Sequence, residues 1–474
     1  MFTKSLVKKK FKKITSIEID KKICKKNKLN KSFVSYNFKE KYDVIIGNPP
    51  YVRWKNLNIT LKNELEKNSI WKENYNSLCD YLYIFVHKSL EILNDNGELI
   101  FITPEYWFKN LHSRKLRNYI IKNAHLSEVY YLSERRFFKN VNSSFIIFKI
   151  IKKKINPKIK IFKLKNDLDD LELAFLDKER NFENYSIDQF KPNNKWLLHN
   201  QKDSDLCRII ENRCKNDKSK DLFGNYDYFK LKDVAQIANG LVSGLDKAFI
   251  CNKKLESKLN KKEKNAVVKI VKAFNIKKFK NDKFVNYIFL NNTKVTNLKS
   301  QYPNFYNHFK KFKSNLKKRY NYNRNINYWD WVFLRSYNLI SSNKDKICIP
   351  CKLRITKFED INFSFVGKKF LLTQDVTSIY LKQDIKENII YFLGLLNSKY
   401  IKKWIFLNNN NRGNVLEFSE APLNNIPIKL INWKNENEVK AYNNILSITK
   451  NILINHNKDL LKNLDCEVKI LLNL

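Results

Sequence analysis

The stretch "YDVIIGNPPYVRW", residues 42–54, constrains this chain more than any other. "DVIIG" (43–47) is a short continuous apolar run, the pattern of a parallel strand covered on both faces. Asn48-Pro49-Pro50-Tyr51 follows at once, in a chain of 474 residues that has only 9 prolines. Two prolines can neither extend a strand nor open a helix freely, so they fix a rigid loop beyond the strand's carboxyl end. Open α/β sheets bind their ligands at that end. A given tetrapeptide arises by chance in about three in a thousand chains of this length, and its place after a buried strand makes accident rarer still.

A rigid loop presents Asn48, the carbonyl of Pro49 and the ring of Tyr51 in one orientation. The exocyclic amino group of adenine is a poor nucleophile because its lone pair is delocalised into the ring. Two acceptors, a side-chain amide oxygen and a backbone carbonyl, can hold both amino hydrogens and draw the nitrogen toward a tetrahedral shape. An aromatic ring can then stack on a base that has been flipped out of the duplex. No strongly basic side chain is needed.

The segments around the loop alternate. "KKITSIEID" (12–20) reads as a strand, "DYLYIFVHKSLEIL" (80–93) as a helix, and "NDNGE" (94–98) as the turn before a strand "LIFIT" (99–103). "HLSEVYYL" (125–132) and "SSFIIFKII" (143–151) read as further strands. Alternation of this kind predicts a doubly wound α/β sheet. After residue 151 the βαβ rhythm stops. From about 225 a second region begins, rich in aromatics, short strands and turn signals.

Lys and Arg number 91 against 47 Asp and Glu, a net charge of +44. An AT-rich coding sequence would favour Lys over Arg, but it explains less well a nearly twofold excess of basic over acidic residues. The excess points to a polyanionic partner, nucleic acid above all. With 33 Phe and 24 Tyr, the chain is too aromatic to be disordered over most of its length. No apolar run reaches the roughly 18 residues that span a bilayer, and the start lacks a signal-peptide core. The eight cysteines are scattered, which fits reduced thiols in the cytoplasm, and the lone CxxC of Cys348 and Cys351 is half of what structural zinc usually needs, so no metal site is expected.

On these motifs the chain resembles the adenine-N6 DNA methyltransferases of bacterial type II restriction–modification systems, those with catalytic motifs first and a target-recognition domain last. "ITSIEID" looks like their second strand, whose acid binds the ribose of S-adenosylmethionine, which gives Glu18 that role. "VSYNFKEKYDVIIGNPPY" looks like the next two motifs. The resemblance places Asn37 and Phe38 against the cofactor's adenine, with Asn37 standing where the family usually has Asp. "SLCDYLYIFVHKSLEILNDNGELIFITPEYWF" resembles the segment that follows. In "RRFFKNVNSSFIIF", Phe138, with Phe137 a near equal, takes the second face of the flipped base. "LKDVAQIANGLVSGLDKAFI" (231–250) and "NRGNVLEFSEAPLNNIPI" (411–428) are similar to parts of the recognition domains.

The resemblance implies a Rossmann-like methyltransferase sheet at 1–155, a connecting segment at 156–224 and a mixed α+β DNA target-recognition domain at 225–474. It implies Asn48, Pro49, Pro50 and Tyr51 as the catalytic loop, S-adenosylmethionine as cofactor, and double-stranded DNA and a cognate restriction endonuclease as partners. One departure stands out. The family opens its sheet with a strand and a Gly-rich loop for the cofactor's methionine end, whereas "MFTKSL" resembles the helix just after that loop, and none of the eight glycines precedes Gly47. Half of the cofactor pocket is therefore expected to be missing from this sequence, and the sheet to be N-terminally truncated. The same tetrapeptide occurs in enzymes that methylate a glutamine amide of release factors and in some ribosomal RNA methyltransferases, which lack a basic region of this size. A non-catalytic DNA-binding remnant and the C-terminal part of a fused nuclease–methyltransferase are the other readings.

Overall fold

In the computed structural model the described residues are all except 1–5, 8, 25–28, 133–143, 154, 156, 166–170, 221–225, 292–293, 356, 410–414 and 456. They form two units, Met1–Asp203, and Ser204–Asn409 with Asn414–Leu474.

The first unit is built on a six-stranded sheet: β1 (Tyr42–Gly47), β2 (Leu93–Pro104), β3 (His125–Tyr131), β4 (Phe145–Ile151), β5 (Ile159–Leu164) and β6 (Phe182–Ile187). The spatial order is β1-β2-β4-β3-β5-β6. β1 and β2 run parallel, with Gly47 opposite Phe101. β4 is antiparallel to both β2 and β3, so the sheet is mixed. Helix α1 (Leu82–Glu91) makes the crossover from β1 to β2, and α2 (Arg114–Asn123) that from β2 to β3. Seven of the ten residues of α1 are buried, among them Leu82, Ile84, Val86 and Leu90. They share a core with Leu99 and Phe101 of β2, Phe148 of β4, and Trp107.

Four expectations change. "KKITSIEID" forms no strand. Among the described residues it makes a single bridge, Ile17 to Leu29, in which the Glu18 amide donates to the Leu29 carbonyl at 2.9 Å. A strand needs a neighbour along its length, and among the described residues only Leu29 bridges to 12–20. For the same reason β1 is an edge strand. Among the described residues it pairs only with β2, and five of its six residues are half-buried rather than enclosed. "NDNGE" is not a separate turn but the start of β2, where the register with β1 shifts and Asn96 takes a left-handed φ of 63°. The stretch expected to connect two domains supplies β5 and β6, which extend the sheet past β3.

The second unit holds a five-stranded sheet of β7 (Ala235–Asn239), β8 (Phe279–Lys280), β9 (Lys346–Pro350), β10 (Ser364–Val366) and β11 (Val376–Leu381), in the order β8-β10-β9-β11-β7. Helices α3 (Ile389–Asn397), α4 (Glu436–Ile454) and α5 (Lys458–Leu472) contribute to its largest core. A Cβ on Gly394 of α3 would stand 2.4 Å from Thr449 Oγ1 of α4, so the glycine sets how closely these two helices approach. Among the described residues no helix is long and apolar enough to cross a membrane.

Candidate functional site

The rigid loop leaves the sheet at the carboxyl end of β1. Gly47 lies against the Phe101 ring, which an added Cβ would meet at 3.3 Å. Asn48 and Pro50 are exposed, Pro49 is buried and Tyr51 is half-buried. The Asn48 amide makes no hydrogen bond to any described residue, so its oxygen is open to a ligand. The Tyr51 ring meets Phe145 of β4 edge-on, with centroids 5.8 Å apart. Burial pushes its phenol above the ordinary value, which keeps the ring neutral.

The far side of the loop is pinned by the segment before α1. The Tyr81 amide donates to the Val52 carbonyl at 2.9 Å and the Trp54 amide to the Cys79 carbonyl at 3.2 Å, around a bridge between Arg53 and Asp80. Strand pairing holds one end of Asn48–Tyr51 and this short ladder the other. The prolines then leave the backbone between them little freedom.

Asp80 is the one residue of this ladder with a buried charge, 5% exposed. Its Oδ1 accepts from the Leu82 amide at 3.0 Å, at the start of α1. Its Oδ2 accepts from the Tyr106 hydroxyl at 2.5 Å, just beyond β2. Burial raises the Asp80 carboxyl, opposed by the Tyr106 and Leu82 hydrogen bonds and by the Arg53 charge. Burial, and then the Asp80 charge, hold the Tyr106 phenol far above its usual range. Asp80 thus ties three pieces of chain together at the ends of the two parallel strands. Its signal in the sequence was a lone acid at the head of the apolar run "DYLYIFV", and the reading passed over it.

The other sequence-predicted residues that are described are not gathered there. Phe138 and Phe137 lie outside the described residues. Phe38 sits in an aromatic cluster with Phe33, Tyr36 and Tyr42, at centroid distances of 5.3, 4.8 and 5.9 Å. Tyr42 begins β1, so Phe38 is at the amino end of the strand and Asn48 is beyond the carboxyl end, about 20 Å from Tyr42 at the usual strand rise. Lys88, near the end of α1, closes the cluster by donating to the carbonyls of Val34 and Tyr36 at 2.7 Å each. Asn37 is exposed beside it. Glu18 is half-buried and accepts from the Asp20 amide at 3.1 Å. An arrangement with Phe38 packed at the opposite end of β1 does not fit a cofactor pocket that opens onto Asn48.

A parallel strand pair whose carboxyl ends carry a clamped Asn-Pro-Pro-Tyr loop defines an α/β protein with its chemistry at the strand ends. Residues 2–138 match the family model of the Eco57I restriction-modification methylase. Over 462 residues the chain is 38% identical to the type II methyltransferase M.HindII of Haemophilus influenzae, a match covering 96% of this chain and 88% of that protein. M.HincII, also of Haemophilus influenzae, is 36% identical over the same length and is 87% covered. Among solved structures, the type IIL restriction-modification enzyme MmeI in complex with DNA shares the fold with a TM-score of 0.59 at 14% identity. That match covers 91% of this chain and 54% of MmeI. The chain belongs to the type II DNA methyltransferases of restriction–modification systems.

Proposed function

We propose that this methyltransferase modifies the exocyclic amino group of adenine in double-stranded DNA, on a base turned out of the helix. The observation that carries this is the open Asn48 amide beside the Pro49 carbonyl, held by strand pairing on one side and the Val52–Tyr81 ladder on the other. Two acceptors fixed in this way suit an amine with two hydrogens, and the half-buried Tyr51 ring offers a face for the base. Phe138 is the residue we assign to the opposite face.

S-adenosylmethionine is the methyl donor of this reading, but Phe38 and its neighbours, at the amino end of β1, do not hold it against Asn48. The order β1-β2-β4-β3, with β4 reversed, supports reading the first unit as the later half of a doubly wound methyltransferase sheet. The strands that complete such a sheet would pair along the outer edge of β1. Methyl transfer is assigned to the first unit. DNA recognition falls to the basic, aromatic region from about 225 onward, and a cognate restriction endonuclease cuts the unmodified site. Expression in a bacterial host that lacks adenine methylation, followed by digestion of its DNA to nucleosides and mass spectrometry, tests the reading. N6-methyladenine is expected from the wild type and not from Asn48→Ala. Methyl groups found on cytosine C5, or on a protein amide and not on DNA, overturn it.

A further inference from the structure

The second unit carries a feature that the site in the first does not use. Between Lys310 and Ser336 there are eight basic residues and a single acid, Asp330. Asp330 is already engaged: its carboxylate accepts from the backbone amide and the side-chain amide of Asn327, both at 3.1 Å. The segment "RYNYNRNIN" (319–327) leaves the short basic helix Lys313–Lys318 and is anchored with care at its base. Arg319 donates to the Ser243 carbonyl at 2.8 Å and also to the Asp330 carbonyl, which closes the loop across its two ends. Gly244, at φ +80°, makes room for this arginine, since a Cβ there would lie 2.9 Å from its Cδ. Past the loop, Trp331 is buried and donates from its indole to the Ile288 carbonyl at 3.0 Å. Val242 and Phe333 exchange backbone hydrogen bonds of 2.9 and 3.2 Å.

On this fixed base the tip is open and aromatic. Tyr320 is 70% exposed and packs on Tyr322, with centroids 4.7 Å apart. Tyr322 packs on Phe333 at 5.3 Å, and the Arg324 guanidinium lies 3.9 Å over the same ring. Tyr322 and Asn323 both have a left-handed φ of 56°, a conformation non-glycine residues rarely adopt in succession. The Asn321 side chain holds the turn, donating to the Arg324 carbonyl at 2.9 Å and accepting from the Asn323 amide at 3.2 Å. The exposed Arg324 makes no ion pair among the described residues. Stacking on Phe333 orients its planar fork and leaves the N–H groups free for a partner.

We propose that the Tyr320–Asn327 loop is the sequence-reading element of the second unit, with Arg324 donating to a guanine edge in the groove of double-stranded DNA. Lys317 and Lys318 hold the flanking phosphates. An exposed arginine held over the Phe333 ring can offer its planar fork to the O6 and N7 acceptors of guanine, the commonest base contact made by this side chain. The lysines end the helix that leads into the loop, are exposed, and suit phosphates, which need charge rather than a planar fork. This inference rests on duplex DNA being the partner of the second unit.

The test uses the full chain and a pool of duplexes with a randomised centre. Selection with the wild type yields a preferred sequence, and affinities are then measured for that duplex and for each single base-pair change. Arg324→Ala is expected to erase discrimination at one G·C pair, a loss of roughly 5- to 150-fold in preference there, and to leave the other positions as they were. Arg324→Lys, which keeps the charge and loses the fork, should erase it too. Lys317→Ala with Lys318→Ala should weaken every duplex alike and flatten the slope of log affinity against log salt by about 1.8. Unchanged preference at every position in Arg324→Ala, or an equal loss on all duplexes, overturns the assignment of Arg324 while leaving DNA as the partner. A wild-type chain that selects no sequence overturns this proposal and the DNA reading together.

Discussion

The Asp80–Tyr106 pair gives the most direct test of how the Asn48–Tyr51 loop is held. Tyr106→Phe keeps the ring and removes one hydroxyl, leaving Asp80 Oδ2 buried without the donor now at 2.5 Å. A hydrogen bond to a charged group contributes about 1.5–3 kcal/mol, and a neutral one about 1 kcal/mol. The loss should therefore be about 2 kcal/mol where Asp80 is ionised. It should shrink toward about 1 kcal/mol where the carboxyl is protonated. Burial already raises the folded-state pKa of Asp80 above its unfolded value, so ionisation opposes folding and stability falls as pH rises through the folded value. The Tyr106 hydrogen bond limits that rise. Without it the folded pKa climbs further, and the variant should lose more stability relative to wild type at pH 8 than at pH 5. Hydrogen exchange on peptides covering 79–108 measures this in the first unit alone, which matters because a chain of two units need not unfold in one step. Asp80→Ala combined with Tyr106→Phe should cost less than the sum of the two single changes, by about 1–2 kcal/mol, since each single change strands the remaining partner. A Tyr106→Phe penalty independent of pH, or strict additivity in the double variant, would refute the argument that this carboxylate is held charged by the tyrosine.

Asn48→Ala should lower methylation roughly 100- to 1,000-fold, the range for removing one fixed polar contact to a reacting group. The exposed amide bonds no described residue, so chemical denaturation should show stability within about 0.5 kcal/mol of wild type. Tyr51→Phe should retain methylation because the stacking face survives, whereas Tyr51→Ala should lose both methylation and about 2 kcal/mol of first-unit stability through its lost contact with Phe145. Gly394→Ala should destabilise the second unit by about 1–3 kcal/mol, read by exchange on α3 and α4, because its new methyl would overlap Thr449 and Ile445.

Local signals in the sequence were read well where a segment's own pattern decides its state. "DYLYIFVHKSLEIL" became α1 because ten residues with this apolar content can bury a face within one helix. "FIIFKII" and "LIFIT" became neighbouring strands for a similar reason. Where the state depends on a distant partner, the reading went astray. "ITSIEID" has the composition of a strand, but a strand exists only when another lies beside it, and among the described residues Leu29 alone bridges to it. β5 carries its alternation in "IKIFKL", with Ile159 and Ile161 inward and Lys160 outward, yet the charged residues around it hid its membership of the sheet.

The same division runs through the site. Asn48 to Tyr51 were legible because two prolines fix a conformation through covalent geometry alone, with no need of a partner. The residues that hold this loop were not legible, because Asp80 and Tyr106 are 26 positions apart and only the crossover α1 and the parallel pairing of β1 with β2 bring them together. Phe38 shows the reverse case. It stands four residues before Tyr42, close enough for its ring to pack on the strand's first side chain. So short a connection has no length to carry Phe38 past six residues of strand to the Asn48 end. A motif resemblance records which residue types follow one another, whereas the number of residues between them decides which end of a strand they reach. Here four residues suffice to seat an aromatic ring at the amino end of β1 and nowhere nearer Asn48.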